Sequence, residues 1–266
     1  NKKKKLDKLK LPFNNETLKD LSSFYCKSEN NQTFPIIKTQ PNVVFLFLES
    51  WSAKFLKSYG YKYQTTPFFD SILKQSLRSK MMIAGGHRTT EGMFTTLVSF
   101  QNPLGKSVAK TQLQSYEYTS IIDLLNKQGY RSAFFQGTAK ETSGTGSLAN
   151  SLGFKNSYGK KDIKKRQYEE NAWGVQDTDL YAFAQNKLKE NNLKEPFVIG
   201  INGASTHDDK TPKGYKKSFF SEDKNLNKQL NALAFSDEAL GHFIEKIEQK
   251  FPNTIFVFLA DHCGGK

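Results

Sequence analysis

The chain has 266 residues, with 39 Lys and Arg against 26 Asp and Glu, a formal net charge of +13 and a mean hydropathy of -0.62. That length buries a sizeable core as one α/β domain. No run of about 18 apolar residues is present, so no stretch reads as a transmembrane helix or as a secretory leader. The two cysteines, Cys26 and Cys263, form no C-x-x-C pair, which argues against a thiolate zinc site.

Residues 1–40 are polar, rich in Lys and Asn and weakly periodic, and read as a linker or juxtamembrane segment with one short helix near residues 15–25. Pro41 marks a boundary. Residues 43–48 form a continuous apolar run, the pattern of a strand covered on both faces of a parallel sheet. Residues 67–77 read as a helix with Thr66 as N-cap and Pro67 in its first turn. A helical pattern follows Thr89 and Thr90, either of which suits an N-cap. Residues 118–128 read as a helix ended by Gly129, and residues 131–136 as a strand leaving through Gly137. Residues 140–146, rich in Thr, Ser and Gly, read as a loop, and the charged stretch 159–170 as an exposed excursion or lid. Residues 177–190 form a helix with Leu180, Phe183, Ala184 and Leu188 on one stripe. Residues 197–202 read as a buried strand, 226–250 as a long helix with a break, and 255–260 as the last strand. Alternating strands and helices predict an α/β fold, a mainly parallel sheet flanked by helices on both faces.

The chemistry-bearing residues stand at strand exits, where open α/β sheets place their sites. Asp261 and His262 follow the last strand and Glu49 follows the first; carboxylate and imidazole are good ligands for Zn²⁺ or Mn²⁺. Each also has a plain reading: Asp261 as a turn residue, Glu49 as an acid at a helix N-terminus. In GGHRTTEGMFTTL a hydroxyl stands at a helix start, where backbone N–H groups favour an anion. His207 lies in GASTHDD after a strand; His242 reads as a helix residue. The basic charge suits an anionic membrane surface or a polyanionic substrate. Its scatter, apart from residues 2–5 and 160–166, equally describes a solvated face, and Phe-rich runs read as core rather than base-stacking platforms. No nucleic-acid partner is expected.

These blocks resemble the lipoteichoic acid synthase and phosphoglycerol transferase branch of the sulfatase, or alkaline phosphatase-like, superfamily. VVFLFLESW resembles its first strand with a metal-binding Glu, TTPFFDSI the segment that follows, and GGHRTTEGMFTTL the nucleophile loop. STHDD resembles a substrate-binding strand exit, and FLADHCG the metal-binding Asp-His pair. The resemblance runs from about residue 41 to the end. It implies a sulfatase-like catalytic domain over 41–266 that is incomplete at its C-terminus, with membrane helices ahead of the given sequence.

By that resemblance Glu49, Thr89, Asp261 and His262 are the metal ligands, Thr89 is also the nucleophile, and Arg88 and His207 act on the phosphate or the leaving group. His87, Gln136 and Trp173 are the expected substrate contacts, Gln136 standing where the family often has a His. The cofactor is a divalent metal, Mn²⁺ first for an oxygen-rich set with one imidazole, then Zn²⁺ or Mg²⁺. The implied activity is transfer of a phosphoglycerol-type group from a lipid phosphodiester to an acceptor alcohol through a phospho-threonine. Rivals are a phosphoethanolamine transferase or phosphodiesterase with the same metal and Thr, and a basic surface-binding domain with a decayed site. The Cys-x-Pro-x-Arg signature of sulfatases is absent, which argues against sulfate ester hydrolysis. The expected partners are an anionic lipid or glycan and a membrane surface, with the catalytic domain on the periplasmic or extracellular side of the cell membrane.

Overall fold

Among the described residues of the computed structural model, five short strands line up in parallel, in the order β3-β2-β4-β1-β5. They are β1 (Asn42–Leu48), β2 (Arg131–Gln136), β3 (Asn156–Tyr158), β4 (Phe197–Asn202) and β5 (Thr254–Ala260). The structure describes residues 39–79, 82–103, 106–190 and 194–262. The chain divides into two compact units, Asn1–Thr39 and Gln40–Lys266, and the sheet belongs to the second. The expected helix near residues 15–25 lies outside the described residues, as do both cysteines.

Among the described residues, six α-helices cover the sheet: α1 (Pro67–Leu73), α2 (Thr89–Val98), α3 (Ile121–Lys127), α4 (Thr145–Ser151), α5 (Asp177–Lys189) and α6 (Lys224–Lys250). Successive side chains of a strand point to opposite faces. So Val44, Leu46 and Leu48 of β1 pack with Phe69 of α1, Leu180 and Ala184 of α5, and Leu240 and Phe243 of α6. Phe45 and Phe47 pack on the other face with Met93, Phe94 and Leu97 of α2, Ile122 of α3 and Leu148 of α4. Covered on both faces, β4 is buried along its whole length, whereas β5 at the sheet edge is mostly half-buried. Among the described residues no helix is long and apolar enough to cross a membrane.

Several local expectations change. α1 stops at Leu73 rather than residue 77; Thr66 is its N-cap residue, as expected, but makes no side-chain capping hydrogen bond, and the Asp237 carboxylate of α6 accepts from Phe68 N and Phe69 N, both at 2.9 Å. α2 begins with Arg88 as N-cap, so neither threonine caps it. α3 starts at Ile121, behind a capping box of Ser120 and Asp123. The stretch expected as a loop at 140–146 already enters α4 at Thr145. α6 runs unbroken for 27 residues. The 159–170 excursion is tied down: Asp179 accepts from Gln167 N and Tyr168 N, Arg166 donates to the carbonyls of Lys160 and Ile163, and Ile163 is buried.

Candidate metal centre

Parallel strands deliver all their carboxyl ends to one sheet edge. β4, β1 and β5 are neighbours, and their tips carry Gly203 to His207, Glu49, and Asp261 with His262. Leu48 pairs with Ala260 in register, so Glu49 and Asp261 leave the sheet at the same level. One ligand atom from each of Glu49, Asp261 and His262 lies within 4.8 Å of the others. His262 Nε2 stands 3.4 Å from Glu49 Oε1 and 3.6 Å from Asp261 Oδ2.

The two carboxylates are 2% and 0% exposed. Ser50 fits between them in a left-handed turn, φ 57°, donating its N–H to Asp261 Oδ1 and its hydroxyl to Glu49 Oε1. Burial and the neighbouring Glu49 charge push Asp261 up to about 7, against the pull of His262, Thr89 and Ser50. Burial also works on Glu49, but the hydrogen bond and charge of His262 hold it below its ordinary value. Asp261 Oδ2 is buried and accepts no hydrogen bond. An orphaned carboxylate oxygen, a second buried carboxylate and an imidazole on one small volume fit a divalent cation, which would relieve the like-charge pair.

Thr89 enters from α2, its hydroxyl donating to Glu49 Oε2 at 3.3 Å. Gly92, one turn on, makes this approach feasible: a Cβ there would sit 2.1 Å from the Asp261 carbonyl oxygen. An isolated glycine within a helical pattern is a signal of such close packing. Thr90 points elsewhere and pairs with Ser107 Oγ at 3.1 Å. His87 and Arg88 are exposed; the His87 N–H donates to Glu91 and no contact joins its ring to the carboxylates.

His207 and Trp173 meet face to face, ring centroids 3.7 Å apart and planes within 4°. Trp173 is held by Asn171, whose Oδ1 accepts from Trp173 N and whose amide donates to Ala204 O. The His207 turn is fixed from below by buried Asp177, which accepts from Ala204 N, Ser205 N and Ser236 Oγ. Thr206 Oγ1 donates to the Glu49 carbonyl, linking this turn to the carboxylate cluster. Trp173 therefore supports His207, a role nothing in its position along the sequence shows. Gln136 is fully buried; its amide donates to Thr138 and Ala139 O, which leaves only Oε1 without a partner.

The family model for Sulfatase matches residues 41–265. The lipoteichoic acid synthase-like protein YvgJ of Bacillus subtilis is 24% identical over 232 residues, 84% of this chain and 37% of that protein. Phosphoglycerol transferase I of Citrobacter koseri is 24% identical over 262 residues, 91% of this chain and 33% of that protein. The chain thus spans about a third of the length of these curated relatives. A crystal structure of an alkaline phosphatase superfamily protein from Vibrio parahaemolyticus superposes with a TM-score of 0.75 at 28% identity, over 84% of this chain and 54% of that one. With a parallel sheet of the same architecture and a family match running from the first strand through the Asp-His tip, the chain belongs to the sulfatase family.

Proposed function

We propose that the chain is the catalytic part of a metal-dependent transferase, which moves a phosphoglycerol-type group from a lipid phosphodiester to an acceptor alcohol through a phospho-threonine. One observation carries the reading: a threonine hydroxyl at a helix start lies 3.3 Å from a carboxylate that shares a buried cluster with a second carboxylate and an imidazole. The names of the relatives supply the substrate class, a phosphoglycerol or teichoic-acid-type phosphodiester.

Glu49, Asp261, His262 and Thr89 would hold the ion, Mn²⁺ ahead of Zn²⁺ and Mg²⁺ because oxygens dominate the set. Such an ion lowers the pKa of an oxygen it binds and neutralises phosphoryl charge. In the first step Thr89 Oγ1 gives up its proton to solvent and forms a bond to phosphorus as the bond to the lipid oxygen breaks. The leaving oxygen takes its proton from His207, whose ring Trp173 holds in place. In the second step the acceptor hydroxyl attacks phosphorus and gives its proton to His207 as the bond from phosphorus to Thr89 Oγ1 breaks, and Thr89 Oγ1 takes a proton back from solvent. Arg88, next to the nucleophile, pairs with phosphate oxygens. The protein works at a membrane surface on the outer side of the cell membrane, where a lipid donor is found.

Trapping decides the case. The full-length protein is mixed with a fluorescent lipid phosphodiester, quenched in acid, digested and sequenced by mass spectrometry. A phosphoglycerol adduct is expected on Thr89. An adduct on Thr90 alone, or undiminished transfer by Thr89→Ala, would refute the assignment.

A further inference from the structure

We propose that Asp177 is a positioning residue for the transfer, acting through the turn that carries His207 and touching no substrate itself. The proposal rests on the transferase reading and deepens it. Among the described residues six acidic side chains are buried: Glu49, Asp70, Asp177, Asp179, Asp237 and Asp261. Glu49 and Asp261 form the cluster. Asp70 accepts from Ser58 N and Gln64, Asp237 from the start of α1, and Asp179 from the 159–170 excursion. Asp177 is the one whose carboxylate is spent on the exit of β4, directly under His207.

Every partner of that carboxylate is a donor. Oδ1 accepts from Ala204 N at 2.8 Å and from Ser205 N at 3.1 Å, and Oδ2 accepts from Ser236 Oγ of α6 at 2.7 Å. Successive backbone N–H groups on one oxygen are the arrangement that elsewhere holds a free anion; here the anion belongs to the chain itself. Ser205 closes the ring: its hydroxyl accepts from Asp177 N and donates to Gln176 Oε1, both at 2.8 Å. Gly203 leaves the room, since a Cβ there would come within 2.9 Å of Asp177 Oδ1. Burial pushes the carboxyl above its ordinary value, and each of these donors pulls it back.

From this anchor two short routes lead to the site. Ala204 O accepts from His207 N and from the Asn171 amide, and Asn171 Oδ1 accepts from Trp173 N. The anchor therefore sets both the His207 backbone and the indole on which its ring is stacked. On the other route Thr206 donates to the Glu49 carbonyl, which ties the turn to the β1 tip. These links are neutral, whereas hydrogen bonds to a carboxylate are roughly twice as strong, so the grip on the turn falls mainly to Asp177. A shift of the turn by about 1 Å would carry His207 off the reacting group and cost about 100-fold in rate.

A double-mutant cycle in the full-length protein tests the proposal, with a fluorescent lipid phosphodiester as donor. Asp177→Ala should lower kcat about 100-fold while KM and metal content stay within about twofold. In a His207→Ala background the same change should add less than about twofold, because both act through one imidazole. Asp177→Asn still offers an oxygen to both N–H groups and should recover kcat to within about tenfold of the unmodified protein. A nitrophenyl phosphodiester, whose leaving oxygen needs no proton, should lose less than about tenfold in Asp177→Ala. Ile244→Val, in the buried face of α6, should lower Tm and leave kcat as it is, which separates a weakened fold from a displaced turn. The place of the turn is read without turnover from Trp173 emission, taken by difference against Trp173→Phe: Asp177→Ala should shift it and Asp177→Asn should restore it. A kcat within twofold in Asp177→Ala, equal losses on both donors, single losses that multiply in the double variant, or an unmoved Trp173 emission overturns the proposal. A protein that transfers nothing from any lipid phosphodiester refutes the transferase reading; the emission shift in Asp177→Ala, restored in Asp177→Asn, then still upholds Asp177 as the residue that places His207.

Discussion

Replacing Gly92 by Ala adds one methyl group where there is no room for it. The new Cβ would lie 2.1 Å from the Asp261 carbonyl oxygen and 2.8 Å from its carbon, against a practical limit of 3.0 Å. Both are backbone atoms at the end of β5 and cannot rotate aside, so the start of α2 and the β5 tip must separate by about 1 Å, the overlap to be relieved. Thr89 stands on the same helical turn and Asp261 is part of the carboxylate cluster, so the separation falls directly on the Thr89 to Glu49 and Asp261 geometry. A displacement of that size costs about 100-fold in rate, or about 2.7 kcal/mol in the barrier. Stability suffers less: overpacking costs about 1–3 kcal/mol, and Ala regains about 1 kcal/mol over Gly in a helix. Transfer kinetics and thermal unfolding on the same preparation separate the two effects. Expected are a kcat lowered about 100-fold and a Tm lowered by a few degrees. A kcat within twofold of the unmodified protein would refute the claim that Gly92 sets the distance between Thr89 and the cluster.

Chelation should abolish turnover and lower Tm, and Mn²⁺ should restore both with about one ion per chain by elemental analysis; full activity in chelated protein would remove the metal from the reading. Burial raises Asp237 to about 7 despite the two N–H groups it accepts. Its folded value lies above its unfolded one, so its contribution to stability is complete below about pH 4 and is lost as pH rises through 7. Urea midpoints should therefore fall between about pH 4 and 7, and Asp237→Asn should flatten that fall; an unchanged slope contradicts the assignment. Trp173→Ala should lower kcat about tenfold by freeing the His207 ring, since such a stack is worth about 0.5–1.5 kcal/mol, and Trp173→Phe should recover part of it. Loss in KM alone would make Trp173 a substrate contact instead.

The strands were the most legible part of this fold, for a physical reason. A strand buried on both faces is apolar through its middle, so β4 (FVIGIN) and the Ala133–Phe135 centre of β2 (RSAFFQ) show as runs, and the expected ends agree with the structure. β3 does not: NSY is short and polar, and it is a strand because β2 pairs with it. α4 hides for a similar reason, since TGSLANS is built of turn residues and becomes a helix by burying Leu148 and Ala149. α6 runs unbroken through Gly241, which serves not as a break but as a recess for the Phe68 ring, 2.8 Å from where a Cβ would stand. Its partner, Asp237, caps α1 from a position far along the chain, beyond the reach of any local capping rule.

The site divides along the same line. Identities at strand tips are readable because a parallel sheet gathers every carboxyl end at one edge, so Glu49, His207, Asp261 and His262 can be grouped before any distance is known. What the sequence does not carry is orientation. Adjacent Thr89 and Thr90 look alike on paper, and a capping argument assigns one of them to the helix. The structure instead makes Arg88 the cap position and sends each hydroxyl to a tertiary partner, Glu49 for one and Ser107 for the other. Neighbouring helix positions differ by about 100° in direction, and that single rotation separates the carboxylate cluster, which Thr89 faces, from the Ser107 hydroxyl, which Thr90 faces.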